Sequence, residues 1–167
     1  MNAETMQHIL TRDPFTREMF QDFSTPDLPL PTMPKKPAMF VLNTDSSKGP
    51  GIHWCLAIFH PNDVCEFFDS IGKPPDMYNF HISMLDKCRD ILFNEFPVQS
   101  PLSSTCGHHC IFFAYHRARG LSCKEIMAMY SRDSFEWNDH MVHSFVHNNF
   151  GPGFAKIENT SIPYFLM

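Results

Sequence analysis

The sequence lacks the features that mark secreted and membrane proteins. Its first twenty residues do not show the basic and then apolar pattern of a secretory signal. No apolar stretch approaches the ~18 residues needed to cross a bilayer, and no lipidation motif or amphipathic basic helix is evident. We therefore expect a soluble protein that has no membrane partner and keeps its six cysteines as free thiols in a reducing compartment.

The chain also lacks a concentration of positive charge. Its 13 lysines and arginines are scattered in ones and twos among 18 acidic residues, and the formal net charge is −5. Proteins that bind nucleic acid usually carry a basic face or stripe. The sequence therefore predicts no strong nucleic-acid patch.

The length and the apolar content are those of one folded domain. The chain has 167 residues, of which 43% are hydrophobic. A chain of this size can bury a core without metal ions or disulfides. Because no internal repeat or low-complexity segment is present, we expect a single domain over residues 1–167.

The strand signals predict an α+β fold with a central mixed or antiparallel sheet packed against helices. They occupy residues 38–42, 52–59 and 65–68. The apolar run at 54–59 is nearly continuous, which is typical of a strand covered on both faces. We therefore expect this strand to be central.

Helical signals lie on both sides of the strand region. Two short helices are expected within residues 2–22, and a proline-rich extended arm is expected at 24–37. Residues 79–94 carry apolar side chains at helical spacing. A further helix is predicted to begin near Cys106 and to stop at Gly120.

Cys106 has the sequence context of a nucleophile. The predicted helix begins at this residue, directly after the cap-type residues 103–105. Unpaired N–H groups and the dipole at a helix start stabilise a thiolate, which is the reactive form of cysteine. Gly107 leaves room for a substrate backbone, whereas Cys110 is expected to face the interior.

His53 and Asp69 are predicted to lie together on a β-hairpin. A turn centred on Pro61 pairs residues whose numbers sum to 122, which places His53 opposite Asp69. A carboxylate in this position can orient an imidazole that acts as a base, although Asp69 could also be an ordinary acid at a strand end. Trp54 is a candidate for the wall of a substrate groove, with a place in the core as the alternative.

Gln99 is a candidate donor to an oxyanion. Acyl transfer needs hydrogen-bond donors at the developing negative oxygen, and the backbone N–H of a nucleophile at a helix start is one of them. Gln99 lies seven residues before Cys106, at the end of a short extended segment. Its side-chain amide could fold back and supply the second donor.

These residues form a pattern that resembles the adenovirus protease (adenain) family of cysteine endopeptidases. That family includes adintovirus and polinton-type relatives and shares a clan with the ubiquitin-like-protein peptidases. The order His, Asp or Glu, Gln, Cys is the order of the family, and the similarity spans roughly residues 38–120. The segments that carry it are Phe40–Thr44, His53–Trp54, Phe67–Gly72, Gln99 and Ser103–Cys110.

The resemblance implies roles for four residues and a class of substrate. His53 corresponds to the catalytic histidine, Asp69 to the acidic third member, Gln99 to the oxyanion glutamine and Cys106 to the nucleophile. The implied protein is a viral thiol protease that cleaves precursor and capsid polypeptides at glycine-containing sites during virion maturation. The implied location is the host cell nucleus and the virion.

The resemblance also bears on activators. The chemistry of such an enzyme requires no cofactor and no metal. Adenain is stimulated by a viral peptide that is held through a disulfide, and Cys88 stands close to where the peptide-linking cysteine of the family falls. Adenain is also stimulated by DNA, but the acidic net charge of this chain argues against such an effect.

Three alternatives stay open at this point. A deubiquitinase-like or deSUMOylase-like peptidase would act after Gly-Gly with the same chemistry, and a non-catalytic binding module could retain the same fold. A zinc site is the third alternative, although structural zinc sites usually show tight two-residue cysteine spacings that this sequence lacks. The candidate zinc ligands lie within Cys106–Cys110 and at His140, His143 and His147.

Overall fold

A five-stranded mixed sheet forms the centre of the fold. The structure is a computed structural model, and it describes residues 1–30, 36–80 and 87–151. The strands follow one another across the sheet in chain order, with the two inner pairs antiparallel and the two outer pairs parallel. They are β1 (Phe20–Ser24), β2 (Ala38–Asn43), β3 (Trp54–Phe59), β4 (Val64–Phe68) and β5 (Asp90–Phe93).

Helices flank the sheet, and three of the described helices begin after a polar residue whose side chain caps the helix. Asn2 caps the first helix, Ser122 and Glu125 form a capping box on the third, and Ser134 caps the fourth. None of the helices in the described segments is long and apolar enough to cross a membrane. The helices are α1 (Ala3–Arg12), α2 (Cys106–Ala118), α3 (Cys123–Met127) and α4 (Phe135–Phe150), with 3-10 turns at Thr16–Glu18 and Pro75–Tyr78.

Strand β3 is the central strand and is buried on both faces, as the apolar run predicts. Leu56 and Ile58 point into the core that α2 completes, whereas Cys55, Ala57 and Phe59 point into a second core on the opposite face. Alternate residues of a strand face opposite sides of a sheet. Two apolar layers therefore explain why no polar residue interrupts this run, and the expected α+β architecture is confirmed.

The hairpin of β3 and β4 has a register that differs by two residues from the predicted one. Leu56 pairs with Phe68 and Phe59 with Cys65, so paired numbers sum to 124 rather than 122. The connecting turn extends to Asp63, which has a positive φ of 61°. A shift of two residues keeps every side chain on its predicted face, and for this reason the error does not separate His53 from Asp69.

Two predicted helical regions contain strands instead. Residues 90–93 pair in parallel with β4, and the left-handed backbone of Asn79 ends the preceding 3-10 turn, so no helix spans 79–94 as a whole. Near the N-terminus, residues 20–22 belong to β1. In both cases, hydrogen bonding to the neighbouring strand outweighed the local sequence pattern that favoured a helix. Residues 81–86, and residues 31–35 of the expected proline-rich arm, lie outside the described residues.

One stacked aromatic pair joins the sheet to α2. Phe68 of β4 stacks on Phe113 of α2 with ring centroids 4.3 Å apart, and each side chain is 1% exposed. Phe68 directly precedes Asp69, and Phe113 lies two helical turns after Cys106. The stack therefore connects the two elements that carry these residues.

Replacing Phe113 with alanine should lower the free energy of unfolding by about 3–5 kcal/mol, because a large buried ring is lost and a cavity remains. Urea denaturation followed by circular dichroism measures this change. Phe93 is 41% exposed on β5, and Phe93→Ala should cost about 1 kcal/mol or less. Equal losses in the two variants would contradict the importance assigned to the stack.

Candidate active site

Cys106 is the first residue of α2, as the sequence predicts. Thr105 precedes it in a non-helical conformation, and the next eight residues of the helix are all buried. Cys106 itself is partly exposed. The thiol therefore sits at the positive end of a helix dipole and remains accessible from the surface.

His53 connects Cys106 to Asp69. Its Nε2 atom lies 2.6 Å from Oδ1 of Asp69, and the thiol of Cys106 is close enough to the ring for each group to shift the pKa of the other. Because Nε2 faces the carboxylate, Nδ1 is the nitrogen left for the sulfur. The structure thus brings together three of the four residues to which the sequence assigned catalytic roles, in the order acid, imidazole, thiol.

The environment favours charge on both His53 and Cys106. Burial by itself lowers the pKa of His53, but hydrogen bonds with Asp69 and Cys106 outweigh it and raise this pKa to about 10. Burial raises the pKa of Cys106, but the imidazole and the backbone N–H of Trp54 outweigh it and leave the pKa below its ordinary value. The two shifts together predict a thiolate–imidazolium pair at neutral pH.

The carboxylate of Asp69 is fully buried and accepts four hydrogen bonds. Besides His53, the donors are the backbone N–H groups of Ile71 at 2.9 Å and Lys73 at 3.0 Å, and the hydroxyl of Tyr78 at 2.9 Å. Burial and the nearby negative charge of Asp69 raise the pKa of Tyr78, so this hydroxyl stays protonated and can donate. A buried carboxylate needs such partners to remain charged.

Asn94 fixes the backbone of Asp69 from both sides. Its side-chain oxygen accepts from the N–H of Asp69 at 2.9 Å, and its amide nitrogen donates to the carbonyl of Asp69 at 2.7 Å. Asn94 is itself buried. This pair of bonds holds Asp69 in place just beyond the end of β4, where no ladder partner would otherwise fix it.

The side-chain amide of Gln99 is held in the loop before Cys106. Its oxygen accepts from the hydroxyl of Ser70 at 2.6 Å, and its nitrogen donates to the carbonyl of Ser103 at 2.9 Å. An amide nitrogen carries two hydrogens, and only one is used in the hydrogen bonds of the described residues. The second N–H is the one that could reach a ligand at Cys106.

Trp54 and Gly107 pack against the N-terminal segment of the chain. The indole N–H of Trp54 donates to the carbonyl of Met1 at 3.0 Å. A Cβ atom added to Gly107 would lie 3.0 Å from Met1 and 3.3 Å from the sulfur of Met6. Gly107 thus permits close packing with these methionines, and its contact with a substrate backbone stays a prediction.

Cys88 lies in the loop before β5 and not on a helix. It is 6% exposed, and its thiol is hydrogen-bonded to that of Cys65 on β4. Both cysteines belong to the core on the face of the sheet opposite α2. A disulfide from Cys88 to an activating peptide stays a prediction.

The arrangement suits metal binding poorly. In the described ranges, His53, Cys55 and Asp69 place potential ligand atoms within 4.8 Å of one another, whereas the histidines and cysteines of the zinc alternative form no such group. The oxygens of Asp69 already accept four hydrogen bonds. Burial raises the pKa of Cys55 well above its ordinary value, so this thiol stays protonated and is a weak ligand.

The sequence analysis missed the residues that support the candidate site. Tyr78 and Asn94 hold Asp69, and Ser70 and Ser103 hold Gln99. No periodic pattern marks any of them, because their positions depend on how loops meet after folding. Ser70 and Ser103 lie within the motif segments Phe67–Gly72 and Ser103–Cys110, which is the only sequence signal that marks them.

The charge state of Cys106 predicts its reactivity towards iodoacetamide as a function of pH. Alkylation should reach half its maximum rate below pH 9.0, the ordinary pKa of a thiol, because the thiolate predominates once the pH exceeds the lowered pKa. The imidazolium should persist until the pH approaches about 10. Peptide mass spectrometry after timed labelling measures the rate at Cys106, and a wild-type midpoint equal to that of His53→Ala would refute the ion pair.

A matched pair of variants separates charge from hydrogen bonding at Asp69. Asp69→Asn removes the charge that stabilises the imidazolium, so the alkylation midpoint of Cys106 should rise by about one pH unit or more. Tyr78→Phe removes one neutral donor and leaves the charge, so its midpoint should move by less. The same labelling assay measures both, and an unchanged midpoint in a folded Asp69→Asn protein would contradict the assigned role of the carboxylate.

Relatives are found by sequence and by structure, although no known family profile matches the chain. Among solved structures, a protease of ASFV aligns with a TM-score of 0.39 and 24% identity, over 61% of this chain. The aligned part is 43% of the ASFV protein, so this chain spans less than half the length of that enzyme.

One sequence relative comes from an adenovirus. The protease of Bovine adenovirus C serotype 10 is 26% identical over 151 residues, and the match covers 73% of this chain and 76% of the bovine adenovirus protein. The match agrees with the resemblance read from the motif residues. The chain is thus similar in sequence to an adenovirus protease over most of its length.

Proposed function

We propose that the protein is a cysteine endopeptidase that cleaves viral precursor polypeptides at glycine-containing sites during particle maturation. The observation that carries the proposal is the contact of one imidazole with a buried carboxylate on one side and with a thiol at a helix start on the other. Homology to a viral protease supports the same conclusion. The preference for glycine and the role in maturation come from the resemblance to the adenovirus protease.

The proposed reaction begins with the thiolate of Cys106. The sulfur attacks the scissile carbonyl carbon, and the carbonyl oxygen becomes an oxyanion that accepts from the backbone N–H of Cys106 and the side-chain N–H of Gln99. The imidazolium of His53 then gives its proton to the leaving amine, and the C–N bond breaks. A thioester between Cys106 and the N-terminal part of the substrate results.

Hydrolysis of the thioester completes the proposed cycle. Neutral His53 accepts a proton from water, and the resulting hydroxide attacks the thioester carbonyl. The C–S bond breaks, the carboxylic product leaves, and the thiolate–imidazolium pair is restored. Asp69 keeps the ring of His53 facing the sulfur throughout, because its four hydrogen bonds hold the carboxylate in one orientation.

A shallow pocket next to the site is a candidate for binding substrate side chains. It has a volume of about 390 Å³ and includes Tyr78, whose hydroxyl contacts Asp69 and whose ring lies 6.2 Å from that of His53. A peptide whose scissile bond is at Cys106 would pass close to this pocket. Its lining residues are Pro26, Asp27, Thr44, Ser46, Met77, Tyr78 and Asn79.

The test is hydrolysis of an internally quenched peptide that contains Leu-Xaa-Gly-Gly followed by further residues. The wild-type protein should cleave it within the chain, as product masses will show, and Cys106→Ala should be inactive because no nucleophile remains. Cys123→Ala is the matched control, since Cys123 is also partly exposed but has a raised pKa. This control should retain wild-type activity.

The outcomes distinguish the alternatives. Preferential cleavage of ubiquitin-like precursors after Gly-Gly would favour a deubiquitinase-like or deSUMOylase-like peptidase. Equal behaviour of wild type and Cys106→Ala, together with slow alkylation of Cys106, would favour a non-catalytic module. Rapid alkylation of Cys106 without hydrolysis would instead point to an absent activator, such as the viral peptide that the resemblance implies.

A further inference from the structure

A second histidine–aspartate pair lies close to the start of α2. His109 has no exposed surface, and its Nε2 atom lies 2.9 Å from Oδ1 of Asp139 on α4. Its other nitrogen, Nδ1, lies 3.3 Å from the hydroxyl of Tyr130. The sequence analysis did not assign any role to Asp139, and the proposed mechanism does not use it.

Asp139 is attached to both ends of the loop that leads to Cys106, residues 100–105. Its Oδ2 accepts from the backbone N–H of Ser100 at 3.3 Å, and its Oδ1 accepts from the hydroxyl of Thr105 at 2.7 Å. The hydroxyls of Thr105 and Ser103 are 2.9 Å apart. One carboxylate therefore fixes the 100–105 loop at its first and last residues.

The 100–105 loop connects the two proposed oxyanion donors. Gln99 directly precedes it and donates to the carbonyl of Ser103, and Cys106 directly follows it. On α4, the residue before Asp139 also contributes, because the amide of Asn138 donates to the carbonyl of Val98 at 2.9 Å. Consecutive residues of α4 thus hold the chain on both sides of Gln99.

The charges in this network differ from those at His53. Burial raises the pKa of Asp139, but hydrogen bonds from His109, Thr105 and Ser103 outweigh it and hold the pKa below its usual range. Burial lowers the pKa of His109. The carboxylate is therefore charged while its histidine is neutral, and its negative charge is balanced by hydrogen bonds from neutral donors.

We propose that Asp139 is a positioning residue for the oxyanion site: through the 100–105 loop it holds the N–H of Cys106 and the side-chain N–H of Gln99 at one carbonyl oxygen of the substrate. The inference rests on the proposed function. It assigns Asp139 no contact with substrate and no effect on the charge of Cys106. Misplacement of an oxyanion donor should therefore slow acyl transfer without changing the nucleophilicity of the thiol.

Two kinds of inhibitor separate these effects. A peptide aldehyde that carries the substrate sequence adds to the thiol and forms a hemithioacetal, whose oxygen occupies the oxyanion site. Iodoacetamide reacts with the thiolate by displacement of iodide and forms no oxyanion. A variant that disturbs only the oxyanion donors should therefore bind the aldehyde weakly and still react normally with iodoacetamide.

In Asp139→Asn, kcat should fall about tenfold or more, since small misplacement of reacting groups has effects of this size. The inhibition constant of the aldehyde should rise by a similar factor, whereas KM and the alkylation rate should stay within about twofold of wild type. Gln99→Ala serves as the reference for complete loss of a donor, which costs about 10²–10³ in kcat. Asp133→Asn, an exposed acid before α4, is the matched control and should behave as wild type.

Thr105 supplies a second test if Asp139→Asn folds poorly. Thr105→Val keeps the shape and removes the hydroxyl that donates to Asp139, so it should show the same pattern. Thr105→Ser keeps the hydroxyl, so this variant should be much more active than Thr105→Val and close to wild type. Thermal melting monitors the folded state of each variant.

The results distinguish failure of this inference from failure of the proposed function. Unchanged kcat in folded Asp139→Asn and Thr105→Val would overturn the inference alone, and so would a fall in alkylation rate equal to the fall in kcat. A wild-type protein no more active than Cys106→Ala would overturn the proposed function and this inference with it.

Discussion

The burial of α2 against the sheet is the constraint on which the rest of the site depends. Eight consecutive residues of this helix, from Gly107 to Ala114, are buried, so rotation or sliding of the helix would expose apolar surface on one side and cause clashes on the other. The thiol of Cys110 donates to the carbonyl of Trp54 at 3.4 Å and adds a polar contact to the same interface. Cys106, one turn earlier, is therefore fixed next to the start of β3, where His53 lies.

A fixed thiol needs partners that are fixed equally well, and these are supplied by loops whose polar groups are satisfied internally. Asp69 lies beyond the end of β4, Gln99 lies before the 100–105 loop, and both are buried. Burial makes an unpaired polar group costly, so each hydrogen bond to these side chains also excludes other loop conformations. The polar contacts around the candidate site thus specify geometry as well as contribute to stability.

The sequence predicted what depends on local pattern and on motif spacing. The buried strand at 54–59 follows from its apolar run and is confirmed. The helix start at Cys106, predicted from the cap-type residues 103–105, is also confirmed, although the side chain of Thr105 forms no cap bond and donates to Asp139 instead. The strand at 90–93 was missed because its pairing with β4 is long-range and the apolar pattern alone resembles a helix. Tyr78 could not have been predicted either, since nothing in the sequence fixes the path of the loop that brings its hydroxyl to Asp69.

The two histidine–aspartate pairs show that surroundings decide what such a pair does. The pKa of His53 is raised because a thiolate and a carboxylate flank its ring, whereas the pKa of His109 is lowered because burial outweighs the effect of its one carboxylate partner, Asp139. The positive charge of His53 lowers the pKa of His109 further, so a proton on one ring disfavours a proton on the other. Only the pair beside Cys106 can therefore carry the proton that the proposed reaction delivers to the leaving amine. The His109–Asp139 pair, which joins α2 to α4, stays in one protonation state and supplies fixed geometry, which is what a donor to a transient oxyanion requires.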